Sequence, residues 1–89
     1  MSKADEMFEK LGYSKQQVCN PLTGEEYLHV YEYAKWDGTW EEHILINNST
    51  KLIHISNQLF GKEHGFTLTC EKLQAINEKC RELGWLDDK

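Results

Sequence analysis

Residues 25–56 read EEYLHVYEYAKWDGTWEEHILINNSTKLIHIS. Tyr, Val, Ile and Trp are dense here. Apolar and polar positions alternate through three successive runs, the period-two signature of strands. Asp37-Gly38 between the first two runs is a two-residue hairpin signal. The NNST stretch, Asn47 to Thr50, marks a second turn before KLIHIS. The stretch is therefore expected to fold as an antiparallel meander. With Asp37-Gly38 at the tip, Tyr31 falls opposite Ile44, Tyr33 opposite Glu42 and His29 opposite Ile46. Centring the next turn on Asn48-Ser49 puts Ile44 opposite Ile53 and His43 opposite His54.

Side chains alternate faces along a strand. One face collects Tyr27, His29, Tyr31, Tyr33, Ile44, Ile46, Ile53 and Ile55, with Glu42 at its margin. It is the expected core face, to be covered by helices. The other face collects Leu28, Val30, Glu32, Ala34, Glu41, His43, Leu45, Leu52 and His54. One side of an antiparallel sheet can face water, and an apolar strip on such a side suits a partner. The predicted register lines up Glu32, His43 and His54 across three strands. Two imidazoles and a carboxylate are zinc-type donors, but structural zinc takes four ligands and neither CxxC nor HExxH spacing occurs. The simpler expectation is three polar residues facing water, with no metal and no cofactor.

The flanks read as helices. Ala4, Met7, Phe8 and Leu11 recur at helical spacing after a capping Ser2, and Gly12-Tyr13 follows. Thr69 caps a second helix whose expected face is Cys70, Leu73, Ile76, Asn77, Cys80 and Leu83, closed by Gly84-Trp85. The repeated Leu-Gly-aromatic is read as two Schellman-type stops, with glycine at positive φ and the aromatic folding back on the last turn. A short strand is expected within SKQQVCN, turning through Pro21 and Gly24. Residues 57–66, NQLFGKEHGF, read as a loop. The fold class is thus α+β: a three- to four-stranded antiparallel meander between an N-terminal and a C-terminal helix, in one domain spanning residues 1–89.

With 89 residues, the chain buries only somewhat over about 60% of its unfolded surface, which leaves little room for a deep active-site cavity. The net charge of −5 and the lack of any basic run argue against direct nucleic-acid binding. No stretch has the length of a membrane span. The opening MSKADEMFEK has no apolar signal-peptide core. Cys19, Cys70 and Cys80 are odd in number and form no CxxC, as expected of reduced thiols in a cytoplasm. Cys70 begins a helix, where a thiol can be activated, but it is read as a buried small hydrophobe. Phosphate-loop, GxSxG and metalloprotease motifs are absent from the sequence, so no catalytic residues are assigned.

Two segments together, ADEMFEKLGY (4–13) and TLTCEKLQAINEKCRELGW (67–85), resemble small phage and prophage proteins of Gram-positive bacteria. Those proteins open with an ADEMFE-type helix and close with a segment like ITMQELKAINKKCEELGW. Their pattern often has Glu three residues after the capping Thr, where this chain has Lys72. The resemblance implies a phage accessory protein in the host cytoplasm. Small phage proteins of this size are often inhibitors of host machinery, including CRISPR and other defence systems. The expected function is non-enzymatic protein–protein binding, plausibly as an inhibitor of a defence nuclease. The expected contacts are Glu32, His43, Leu45, Leu52 and His54 on the sheet, with Trp36 and Asp37 at the hairpin tip. The alternatives are a homodimer meeting through Val30, Leu45 and Leu52, and a metal- or cysteine-dependent enzyme.

Overall fold

Both Leu-Gly-aromatic repeats terminate helices by the same hydrogen-bond pattern. In the computed structural model, which describes residues 2–59, 62–64 and 68–85, helix α1 spans Lys3–Lys10 and helix α2 spans Cys70–Glu82. At the end of α1, Tyr13 N–H donates to Phe8 O and Gly12 N–H to Glu9 O, both at 3.0 Å, with Gly12 at φ +93°. After α2, Trp85 N–H donates to Cys80 O at 2.9 Å and Gly84 N–H to Arg81 O at 3.0 Å, with Gly84 at φ +80°. These are paired Schellman bonds, which satisfy carbonyls the helix leaves open. The starts match too: Ser2 Oγ accepts from Asp5 N–H at 3.0 Å and Thr69 Oγ1 from Lys72 N–H at 3.2 Å.

Between the helices run β1 (Ser14–Gln16), β2 (Val30–Asp37), β3 (Trp40–Asn47), β4 (Leu52–Leu59) and β5 (Lys62–His64). They form one antiparallel sheet in the order β1-β2-β3-β4-β5. The α+β meander expected from the sequence is the fold, with a short extra strand at each edge. The expected loop over 57–66 is corrected: Asn57–Leu59 extend β4, and Lys62–His64 pair back on it. Residues 60, 61, 65 and 66 of that stretch lie outside the described residues.

Both predicted registers are corrected by two residues. Gly38 and Thr39 form the first turn, so Tyr31 faces Ile46 and Tyr33 faces Ile44. Gly38 has φ +62°, the glycine-first geometry of a II′ turn. The second turn takes four residues, 48–51, because Asn47 Oδ1 accepts from both Ser49 N–H and Thr50 N–H, at 2.9 and 3.2 Å. Ile44 consequently faces Ile55, and His43 faces Ser56. A slip of one residue would invert every face, whereas a slip of two preserves them. The two predicted faces therefore survive.

Both helices pack on the predicted core face. Tyr33, Ile44 and Ile46 are buried with Phe8, Tyr13, Ala75, Ile76 and Cys80, and Tyr31, Ile55, Leu83 and Trp85 close the margins. Phe8 stacks on Tyr33 with centroids 4.0 Å apart, and Tyr13 meets Phe8 edge-on at 5.8 Å. Ala4 and Ala75 are fully buried, and Glu82 Oε2 accepts from Ala4 N–H at 2.9 Å, tying the two helices together.

The predicted face of α2 needs correction. Ala75, Ile76, Lys79 and Cys80 are buried, while Cys70, Leu73 and Asn77 are exposed. The helix is rotated so that two lysines lie inward. Lys72 Nζ donates to Glu42 Oε1 at 2.9 Å, neutralising a buried carboxylate on β3. Lys79 lays its ammonium 4.1 Å from the Tyr31 ring centroid. Lysine stems cover apolar surface well, so counting only apolar residues finds the wrong stripe.

Candidate functional site

The sheet face opposite the helices carries no covering element among the described residues. Reading across β2, β3 and β4 through the observed pairings, Val30, Asn47 and Leu52 form one row. Glu32, Leu45 and His54 form the next, Ala34, His43 and Ser56 the third, and Trp36, Glu41 and Gln58 the last. Six of the seven residues expected to contact a partner share this surface: Glu32, Trp36, His43, Leu45, Leu52 and His54. Asp37 is exposed, but alternation turns it to the other side, where it closes the hairpin opposite Trp40.

His43 is the hub. Its Nδ1 lies 3.3 Å from Glu32 Oε1 and its Nε2 3.4 Å from Glu41 Oε2, and the Trp36 ring meets it edge-on at 5.8 Å. With a carboxylate on each ring nitrogen, the imidazole is held in one orientation. His54 stands across from Leu45, one row away from His43. Among the described residues, no group of three His, Cys, Asp or Glu side chains is arranged to hold a metal ion. Apolar side chains are exposed at opposite ends of the face: Trp36 at 51% and Leu52 at 66%. Leu45 and Val30 between them are half-buried. Glu41 went unnamed as a contact although it lies two residues from His43 on the same strand and face, where alternation alone makes them neighbours.

A second polar cluster, unforeseen from the sequence, lies beneath the sheet. Tyr33 Oη donates to Asp5 Oδ1 at 2.6 Å, Lys15 Nζ to Asp5 Oδ2 at 3.3 Å, and Lys79 Nζ approaches Asp5 Oδ1 at 3.9 Å. Burial pushes the Asp5 pKa up, but the Tyr33 hydrogen bond and the two ammonium groups together bring it below the usual value. Burial, with the adjoining carboxylate, holds the Tyr33 phenol neutral well above its ordinary range. Burial also lowers the Lys79 pKa, against the pull of Asp5. The cluster joins α1, α2, β1 and β2, with Lys15 exposed at its edge. Its sequence signal was faint: Asp5 adjoins the apolar stripe of α1, and Lys79 is three residues from Ile76 and four from Leu83.

Of the cysteines, Cys80 is buried, and desolvation raises its pKa, whereas Cys19 and Cys70 are exposed. The reading of Cys70 as a buried hydrophobe is therefore corrected. No described helix is long and apolar enough to cross a membrane. Comparison with family models, with curated proteins and with solved structures returns no match.

Proposed function

We propose that this protein works without catalysis, by binding another protein through its open sheet face. The observation that carries this reading is that both helices cover the same side of the meander. That leaves a face with apolar ends around Glu32, His43 and Glu41. A partner with a Lys- or Arg-rich surface would complement those carboxylates, and the −5 charge of the chain would steer it in. The resemblance to phage proteins adds the setting: a host protein as target, with a defence nuclease such as a CRISPR effector the favoured class, because its nucleic-acid channel is basic. Self-association through the same face is disfavoured, since a second copy would bring Glu32 and Glu41 against a like-charged surface.

The test starts from a stoichiometric partner isolated with tagged protein and titrated by calorimetry against wild type and Glu32→Lys/Glu41→Lys. The expected result is at least about tenfold weaker binding, largely through a slower on-rate, with an unchanged melting curve. Equal affinity for the charge-reversed variant would refute the assignment of this face.

A further inference from the structure

Between β1 and β2 the chain leaves the sheet and folds on itself. Tyr27 N–H donates to Val18 O and Asn20 N–H to Glu25 O, each at 2.8 Å, and Cys19 pairs with Glu26. Residues 18–27 thus make a narrow antiparallel hairpin. Its tip is pinned: Leu22 N–H donates to Asn20 Oδ1 at 2.8 Å, Gly24 N–H to Asn20 O at 2.8 Å, and Glu25 N–H to Thr23 Oγ1 at 3.3 Å. On this fixed turn Leu22 is 93% exposed, and Leu28, just past the hairpin, is 78% exposed. Tight turns favour Gly, Pro, Asn, Asp and Ser, so the leucine is not there for turn geometry.

At the base of the same hairpin lies a partly open pocket of about 260 Å³, lined mainly by Val18, Tyr27, Leu28, Val30 and Tyr31, with Lys15 and Glu26 supplying one charge of each sign. An apolar cavity of about 150 Å³ already accepts benzene, so a leucine side chain fits. A projecting leucine and an apolar socket therefore occur on one element, several residues apart. A two-fold axis between two copies would fill both sockets at once, as an isologous interface requires.

We propose that the occupant of this cavity is Leu22 of a second copy, the two hairpins packing reciprocally. Electrostatics favours this segment for self-contact: residues 16–24, QQVCNPLTG, carry no charge in a chain of net charge −5. A contact between two small hairpins is smaller than the roughly 800 Å² per partner of a standard interface. The dimer is accordingly weak and concentration-dependent. It meets the open sheet face at Val30, which lines the socket and also begins that face's first row, and leaves Leu45 outside.

Sedimentation velocity from micromolar to millimolar protein tests this, using wild type, Leu22→Ser and Leu45→Glu. The expected result is a monomer–dimer equilibrium for wild type, weakened at least about tenfold by Leu22→Ser and unchanged by Leu45→Glu. Amide shifts of Val18, Leu22, Tyr27 and Val30 should move with concentration, and Leu22→Ser, altering an exposed side chain, should melt like wild type. A chain that stays monomeric at millimolar concentration, or a dimer that survives Leu22→Ser, overturns the proposal. A dimer lost instead in Leu45→Glu would place self-association on the open face and overturn it equally.

Discussion

Replacing Asp5 by alanine should strongly destabilise the folded state. Its carboxylate accepts from the buried Tyr33 hydroxyl at 2.6 Å and lies 3.9 Å from Lys79 Nζ. Without it, the Lys79 ammonium keeps Glu82 at 3.9 Å and the Tyr31 ring face. Removing one partner of a buried ion pair costs about 3–5 kcal/mol, and a stranded hydroxyl contributes about 1–3 kcal/mol within that loss. A chain of this length has roughly 4–13 kcal/mol in total. Asp5→Ala should therefore lower the urea midpoint by about 2–3 M at a slope of about 1.5 kcal/mol/M, followed by tryptophan fluorescence. Tyr33→Phe, which leaves Asp5 its two lysines, should cost only about 1–2 kcal/mol. The double variant should cost less than the sum of the two. The pH dependence has a definite sign. Asp5 is lowered on folding from 3.8, so its contribution is present above that value and lost as pH falls through its folded pKa. Tyr33 is raised from 10.0, so its contribution is complete below pH 10 and lost on further alkalinisation. An Asp5→Ala midpoint equivalent to within about 0.5 kcal/mol of wild type would refute the view that this cluster anchors the helices to the sheet.

Other outcomes are equally checkable. Lys72→Glu supplies a capping-box residue but sets two carboxylates together at Glu42. It should destabilise by about 2–4 kcal/mol in chemical denaturation, and the swap Glu42→Lys/Lys72→Glu should recover part of that loss. Gly12→Ala and Gly84→Ala should each cost about 1–2 kcal/mol. Gly12→Ala should cost more, because its new Cβ would meet the Lys35 side chain at 3.3 Å, whereas none of the described residues lies within 4 Å of one at Gly84. Trp85→Phe removes the indole N–H that donates to Asn48 Oδ1 at 2.5 Å, a loss of about 1 kcal/mol by the same assay. In native protein a thiol reagent should modify Cys19 and Cys70 quickly and Cys80 only on unfolding, as peptide mass spectrometry would show.

The parts of the fold legible in the sequence were those dictated by local chemistry. The α1 stripe, the two glycine stops and the alternation along the strands each depend on residues within one turn or one strand. The two register errors came from the turns: Gly38 with Thr39 forms the first, leaving Asp37 paired in the ladder, and Asn47 accepts two amide bonds and lengthens the second. Lys72 and Lys79 were misplaced because their inward orientation depends on Glu42, Asp5 and Tyr31, on other elements. The absence of Glu at position 72, a weakness when judged as a cap, is explained by that same pairing. Glu32 and His43 stay within reach after the register correction because both keep the same face, whereas the link from His43 to Glu41, two residues apart on one strand, is independent of register.

The bond from Ala4 N–H to Glu82 Oε2 joins positions 78 residues apart, and it orders the events of folding. Every sheet pairing except that of β1 is a local hairpin that closes cheaply, whereas docking α2 closes the longest loop in the molecule. During synthesis α1 emerges first and can stack Phe8 on Tyr33, but the part of the core face that Ala75, Ile76 and Cys80 cover stays open until α2 has left the ribosome. A stalled chain ending before Cys70 presents that apolar face to chaperones and proteases, so the abundance of the protein in a cell depends on prompt completion of its last helix.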